Sequence, residues 1–139
     1  IFKRYVLHEL LNDQNNITLV VDADCDENGA DKDFITASEK YDRTNYVGTS
    51  VFKKMDSRLP AKEISGEFIG LWKVNNVGAG LVVKALQELS KKSDFKSMTC
   101  SDLFNEIARE NHIAVKYISG AWLDVDTLVD LQNAGRLRL

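Results

Sequence analysis

The chain predicts an α/β fold, and three observations carry that reading. A continuous, β-branched apolar run from Ile17 to Val21 reads as a strand buried on both faces, the kind that parallel sheets contain. Segments of helical period recur between the strand-like segments. No linker, repeat or low-complexity tract divides the 139 residues, of which 44% are hydrophobic and 28% charged, so the chain reads as a single globular piece. A fold of that size hides roughly two thirds of the surface its unfolded chain exposes, without disulfide or metal staples.

The elements follow in order. Phe2, Tyr5, Val6, Leu10 and Leu11 form a helical stripe at the very start, and the first residue is Ile1, so the chain reads as a piece of a longer one. Asn15 and Asn16 give a turn into the Ile17–Val21 strand. An acidic, glycine-containing loop runs from Asp22 to Asp33, and strands are predicted near Phe34 to Ala37 and Thr49 to Lys53. The only proline, Pro60, falls in a polar connection. Alternation of Ile64, Phe68, Gly70 and Trp72 predicts a longer strand within Glu63 to Val74. Leu81, Val82, Ala85, Leu86 and Leu89 predict a helix from about Val77 to Lys92. Thr99, with Asp102 three positions on, starts another in capping-box fashion, and that helix buries Leu103, Phe104, Ile107 and Ala108. Ile113, Val115 and Tyr117 alternate in a strand that Gly120 breaks, and Trp122 to Val125 continue extended. A last helix begins near Asp126 or Thr127, packs Leu128 and Leu131, and closes at Gly135 in a left-handed turn.

Composition narrows the function classes. With 18 basic against 21 acidic residues the net charge is -3, which argues against nucleic acid, because such binders neutralise phosphates with clustered Lys and Arg. No apolar run approaches the roughly 20 residues that cross a bilayer, and no charged-then-apolar leader opens the chain. No membrane partner is therefore expected, and the expected compartment is the cytoplasm. Cys25 and Cys100 make no disulfide framework, and His8 and His112 lack neighbours at metal-ligand spacing. Walker, GxSxG and GxGxxG motifs are missing from the sequence. Trp72 and Trp122 read as core residues.

Two carboxylate clusters remain. Asp22, Asp24 and Asp26 follow the first strand, and Asp124 and Asp126 follow the last. In open α/β sheets, ligands bind outside the carboxyl ends of strands, where both clusters would sit. An extended Asp124-Val125-Asp126 throws both carboxylates to one side, converging on a hard cation. Asp126 suits a helix cap equally well. Asp24, Asp26, Asn28 and Gly29 match the first positions of a calcium loop, but Asp31 and Ile35 break the pattern. Gly66 and Gly70 weaken a strand unless something approaches its backbone closely, and Glu67 between them would face that visitor.

Taken in order, three motifs resemble the C-terminal two thirds of a nucleotidyltransferase of the sugar-1-phosphate and phosphocholine type. They are Gly66-Glu67-Phe68-Ile69-Gly70-Leu71-Trp72-Lys73, Ser101-Asp102-Leu103-Phe104 with Ile107, and Trp122-Leu123-Asp124-Val125-Asp126-Thr127 with Asp130-Leu131. Ile1-Phe2-Lys3-Arg4-Tyr5, Leu10-Leu11 and Val20-Val21-Asp22 are most similar to the cytidylyltransferase-like domains fused behind phosphoenolpyruvate mutase in phosphonate biosynthesis. The resemblance covers nearly the whole chain. It implies a Rossmann-like, GT-A-like fold, a mixed, mainly parallel sheet flanked by helices. Residues 1–139 would be the C-terminal portion of the catalytic domain, with the nucleotide-binding loop and an earlier metal-binding Asp upstream. It also implies transfer of a nucleotidyl group, cytidylyl from CTP, to a small phosphorylated or phosphonate acceptor, with magnesium (Mg2+) and release of pyrophosphate. Asp124 matches the later metal-binding aspartate and catalytic residue, and Asp126 shares or replaces that role. Glu67, Gly66 and Gly70 match the strand lining the acceptor pocket. The alternatives are a non-catalytic binding or regulatory module of the same fold and a calcium-binding domain.

Overall fold

The computed structural model describes residues 1–26, 32–42, 44, 50–125 and 127–135. In chain order they form α1 (Arg4–Asn12), β1 (Ile17–Asp22), β2 (Phe34–Ala37), β3 (Ser50–Met55), β4 (Gly66–Val74), α2 (Asn76–Leu89), α3 (Cys100–Ala108), β5 (Ala114–Ile118) and α4 (Leu128–Ala134). A 3-10 turn at Ala61–Glu63 follows Pro60 and leads into β4.

The strands close on themselves in the order β1-β4-β2-β3-β5. Among the described residues only β1 and β5 run parallel; the other four pairings are antiparallel. The chain is therefore a small mixed barrel with four helices, which corrects the expected Rossmann-like, GT-A-like sheet, mainly parallel and flanked by helices. The misleading signal was the apolar run in β1. Ile17, Leu19 and Val21 face the main core with Phe52 and Phe104, whereas Val20 faces Val6 and Leu10 of α1. Burial on both faces requires two covering layers, and a barrel wall under a helix supplies them without parallel neighbours.

Phe104 of α3 sits at the centre of the core, fully buried. Its ring meets Phe68 at 5.5 Å, Trp72 at 5.2 Å and Phe52 at 6.5 Å between centroids, all near edge-to-face. The Asn105 side chain fastens α3 to β3, accepting from Met55 N at 2.9 Å and donating to Met55 O at 2.8 Å. The expected Thr99–Asp102 start is present, with Asp102 accepting from Thr99 N at 2.8 Å. Asn75 caps α2 by accepting from Gly78 N at 2.9 Å.

Two helices differ from expectation. In α1 only Val6 and Leu10 are buried; Tyr5 and Leu11 are exposed, and Phe2 forms a bridge with Trp122. In α4, Leu128 and Leu131 are 80% and 57% exposed rather than packed. Gly135 does not take the left-handed conformation, which among the described glycines belongs to Gly70 and Gly120. The start of α4 is set by capping: Asp130 accepts from Thr127 N at 2.9 Å and Oγ1 at 2.6 Å, and Asp130 N donates to Thr127 Oγ1 at 3.2 Å.

The C-terminal end of α1 is held by charge. Lys73 Nζ donates to the carbonyls of Leu11 and Asp13, a cation placed where the helix dipole favours one. Asp13 in turn accepts the buried Thr18 hydroxyl at 2.6 Å. Burial pushes the Asp13 carboxyl up, but the hydrogen bonds from Thr18 and Asn15 outweigh it and hold the group below its ordinary 3.8. A depressed folded pKa means that this stability is present above 3.8 and is lost as pH falls through the folded value. We expect Thr18→Val to lose about 1 kcal/mol at pH 7. In urea melts that gap should narrow below pH 3.8; a gap independent of pH would show that the bond contributes nothing.

Candidate functional site

The one parallel pair ends in the register Asp22 opposite Ile118, and the site is built around that end. Asp22 is 6% exposed, and both its oxygens are occupied. Oδ1 accepts from Asp24 N at 3.0 Å and Gly120 N at 2.9 Å, and Oδ2 accepts from Trp122 Nε1 at 2.7 Å. Delivering a backbone amide and an indole to one carboxylate requires a tight reversal after β5. Gly120 and Ala121 make it with φ of 60° and 69°. For Ala121 that left-handed conformation costs about 1–2 kcal/mol, so the carboxylate's bonds must outweigh it. Residues 121–123 then pair with the start of the chain: Ile1 and Leu123 exchange two bonds of 2.8 Å, and Lys3 N donates to Ala121 O at 2.8 Å.

Glu67 lies directly opposite Asp22 in the β1–β4 ladder and is 8% exposed. Two carboxylates facing each other across a ladder repel, so each needs its own donors. Glu67 takes Lys32, whose Nζ donates to Oε2 at 2.8 Å. Burial disfavours the Lys32 ammonium, yet the hydrogen bond and charge of Glu67 outweigh it and raise its pKa above 10.5. The Lys32 ammonium's share of that stability is thus present below 10.5 and lost as pH rises through the folded value.

The flanking glycines have internal causes. A Cβ on Gly66 would meet Asp22 O at 2.5 Å and Val21 Cγ1 at 2.6 Å, so the close visitor there is strand β1 itself. Gly70 has open space around it but φ +77°, at the register shift where β4 bulges against β1.

Asp22 and Glu67, but neither Gly66 nor Gly70, border an open cleft of about 470 Å3. Six carboxylates line it, Asp22, Asp24, Asp26, Glu67, Asp124 and Asp130, against the single ammonium of Lys32. Asp22, Asp24 and Asp26 of the first cluster thus meet Asp124 of the second, and Glu67 joins them. Asp124 is exposed at the rim; its Oδ1 accepts from Val125 N at 3.0 Å, and Oδ2 has no partner among the described residues. Asp126 lies outside the described residues, as do Asn28, Gly29 and Asp31 of the calcium-like loop. Thr127 accepts from Asp130 N at 3.2 Å, the contact of a helix cap.

Among the described residues no three His, Cys, Asp or Glu side chains are placed to hold a metal ion. The donor set is nonetheless hard oxygen, and magnesium is usually held by one or two carboxylates together with substrate phosphates. The Oδ2 of Asp124 fits that open kind of site, whereas a closed protein cage does not fit. Asp22 is committed to holding the loop.

Lys32, Ser119 and Trp122 were not assigned to the site from sequence. Ser119 donates its hydroxyl to Asp24. For Trp122 a signal existed, since a buried indole N–H needs an acceptor. Among the described residues no helix is long and apolar enough to cross a membrane. No protein-family model matches the chain, and no curated protein matches it.

Trp122→Phe removes a donor from a buried carboxylate and should cost about 1–3 kcal/mol by chemical denaturation. Wild-type stability in that variant would mean that the Asp22 bond is not formed. Gly66→Ala should cost about 1–3 kcal/mol, because the atom it meets is backbone and cannot step aside. Gly70→Ala should lose only about 1 kcal/mol, the conformational strain alone. Equal losses, or a tolerated Gly66→Ala, would contradict the close β1–β4 approach.

Proposed function

We propose that the protein is a magnesium-dependent nucleotidyltransferase. It moves a nucleotidyl group, cytidylyl from CTP, to a small phosphorylated or phosphonate acceptor and releases pyrophosphate, in a cytoplasmic polypeptide that also carries phosphoenolpyruvate mutase. The observation that carries this reading is the acidic cleft at the carboxyl ends of β1 and β5, which Asp124 and Glu67 both border.

The electrostatics argue for a cation-bound polyphosphate. Among the described residues six carboxylates against one ammonium repel a free triphosphate, so they favour such a ligand together with a divalent ion. When bound, magnesium neutralises charge on the transferring phosphoryl group. The Oδ2 of Asp124 is the ligand this chain offers, with Asp126 two residues on as a second.

The acceptor's phosphate or phosphonate oxygen is already ionised, so it attacks the α-phosphorus without giving up a proton. A bond forms to the α-phosphorus, and the bond to the bridging oxygen of the pyrophosphate breaks. No general base is needed, and the chain's task is positioning. Glu67, fixed by Lys32, forms the acceptor side of the cleft, with Gly66 bordering the cavity behind it; Gly70, at the bulge of β4, borders neither.

The test is pyrophosphate release by the full-length polypeptide from CTP, with and without magnesium, using phosphocholine and simple alkyl phosphonates as acceptors. Magnesium-dependent release is expected. Asp124→Asn should lower turnover by orders of magnitude while the circular dichroism spectrum and melting temperature stay near wild type; unchanged turnover removes Asp124 from the mechanism. CTP binding without release under every condition would favour the non-catalytic module.

A further inference from the structure

We infer that a second cavity beside the acidic cleft receives the anionic group of the acceptor and that Lys40 anchors it, an inference that rests on the nucleotidyl-transfer reading of the cleft. The cavity measures about 350 Å3. Lys40, Tyr41 and Asp42 form one wall and Ser65 and Gly66 another, and it shares Asp24 and Cys25 with the cleft. Neighbouring residues of a strand point to opposite sides. The start of β4 is thus the partition, with Gly66 bordering this cavity and Glu67 bordering the cleft. An oxyacid seated here lies across the Asp24–Cys25 sill from the site of transfer.

Charge decides which side an acceptor enters. The cleft's only ammonium, Lys32, is consumed by Glu67. Nearby Lys116 is bonded to Glu9, and Lys54 to Asp56. Lys40 makes no ion pair or hydrogen bond with any described residue. The cavity's two carboxylates, Asp24 and Asp42, keep their charge while accepting from Ser119 and Thr44, but two against Lys40 leave this side less acidic than the cleft, and the ammonium is the group here that can meet an anion.

The backbone carrying Lys40 is held on both sides, which lowers the cost of ordering it on a ligand. Glu39 N donates to Ser50 Oγ at 3.1 Å, and Glu39 O accepts from Ser50 Oγ at 2.9 Å and Tyr117 OH at 2.7 Å. On the other side the Tyr41 ring packs against Tyr117 at 5.8 Å between centroids. A phosphate or phosphonate offers several equivalent oxygens, so Lys40 can hold one while another turns toward the cleft.

The experiment uses the full-length polypeptide with methylphosphonate as the probe. In amide NMR, saturable shifts are expected at Tyr41, Ser65 and Gly66. The dissociation constant should rise about tenfold or more in Lys40→Met and return to within threefold of wild type in Lys40→Arg. In the transfer assay, Lys40→Met should raise the KM for a phosphonate acceptor about tenfold and leave the KM for CTP unmoved. Equal methylphosphonate affinity in wild type and Lys40→Met, or shifts confined to other regions, overturns the proposal. Lys40-dependent binding without pyrophosphate release from any acceptor upholds the anion site while sinking the transferase reading, so the two fail separately.

Discussion

The Asp22 carboxylate is the interaction on which the rest of the site depends. It is buried at the end of β1 and collects donors from its own turn, from Gly120 and from Trp122. Hydrogen bonds to a charged acceptor are worth about 1.5–3 kcal/mol each, enough to offset the left-handed backbone of Ala121. That reversal directs residues 121–123 along the start of the chain and brings Asp124 to the cleft that Glu67 borders. Without the carboxylate, an indole N–H and a backbone amide would face each other with no acceptor between them.

The same ladder position creates the opposing constraint. Glu67 stands across from Asp22, and two buried like charges coexist only because their donors are separate: amides and an indole on one side, the Lys32 ammonium on the other. Close approach of the two strands at this point excludes a side chain at Gly66. Tight β1–β4 packing, paired carboxylates and the emptied glycine position are thus one arrangement seen from three residues.

Much of this was legible in the sequence where the cause is local. The Ile17–Asp22 and Phe34–Ala37 strands, the α2 stripe apart from Leu86, which is 40% exposed, and the Thr99–Asp102 box follow from spacing within a few residues. Thr127–Asp130 carries the same box signature. What local pattern cannot specify is which strands pair and in which direction. Ile17 to Val21 reads equally as a parallel-sheet strand and as a barrel strand beneath α1, because both bury two faces. The exposed Leu128 and Leu131 show the converse, an apolar pair at helical spacing that no described residue covers. At the site, the strand-end carboxylates were visible as chemistry, but their partners were not. Lys32 is 35 residues from Glu67, and Trp122 is 100 residues from Asp22. Gly66 was rightly read as a point of close approach, although the approaching group is the chain's own backbone.

Hydrogen exchange of the Trp122 indole N–H tests the central claim most directly. A donor held at 2.7 Å by a buried carboxylate should exchange only through opening of the loop, far more slowly than the exposed indole of an unfolded chain, and Asp22→Asn should accelerate it markedly. Exchange at the unfolded-chain rate in the wild-type protein, or no response to Asp22→Asn, would contradict the account.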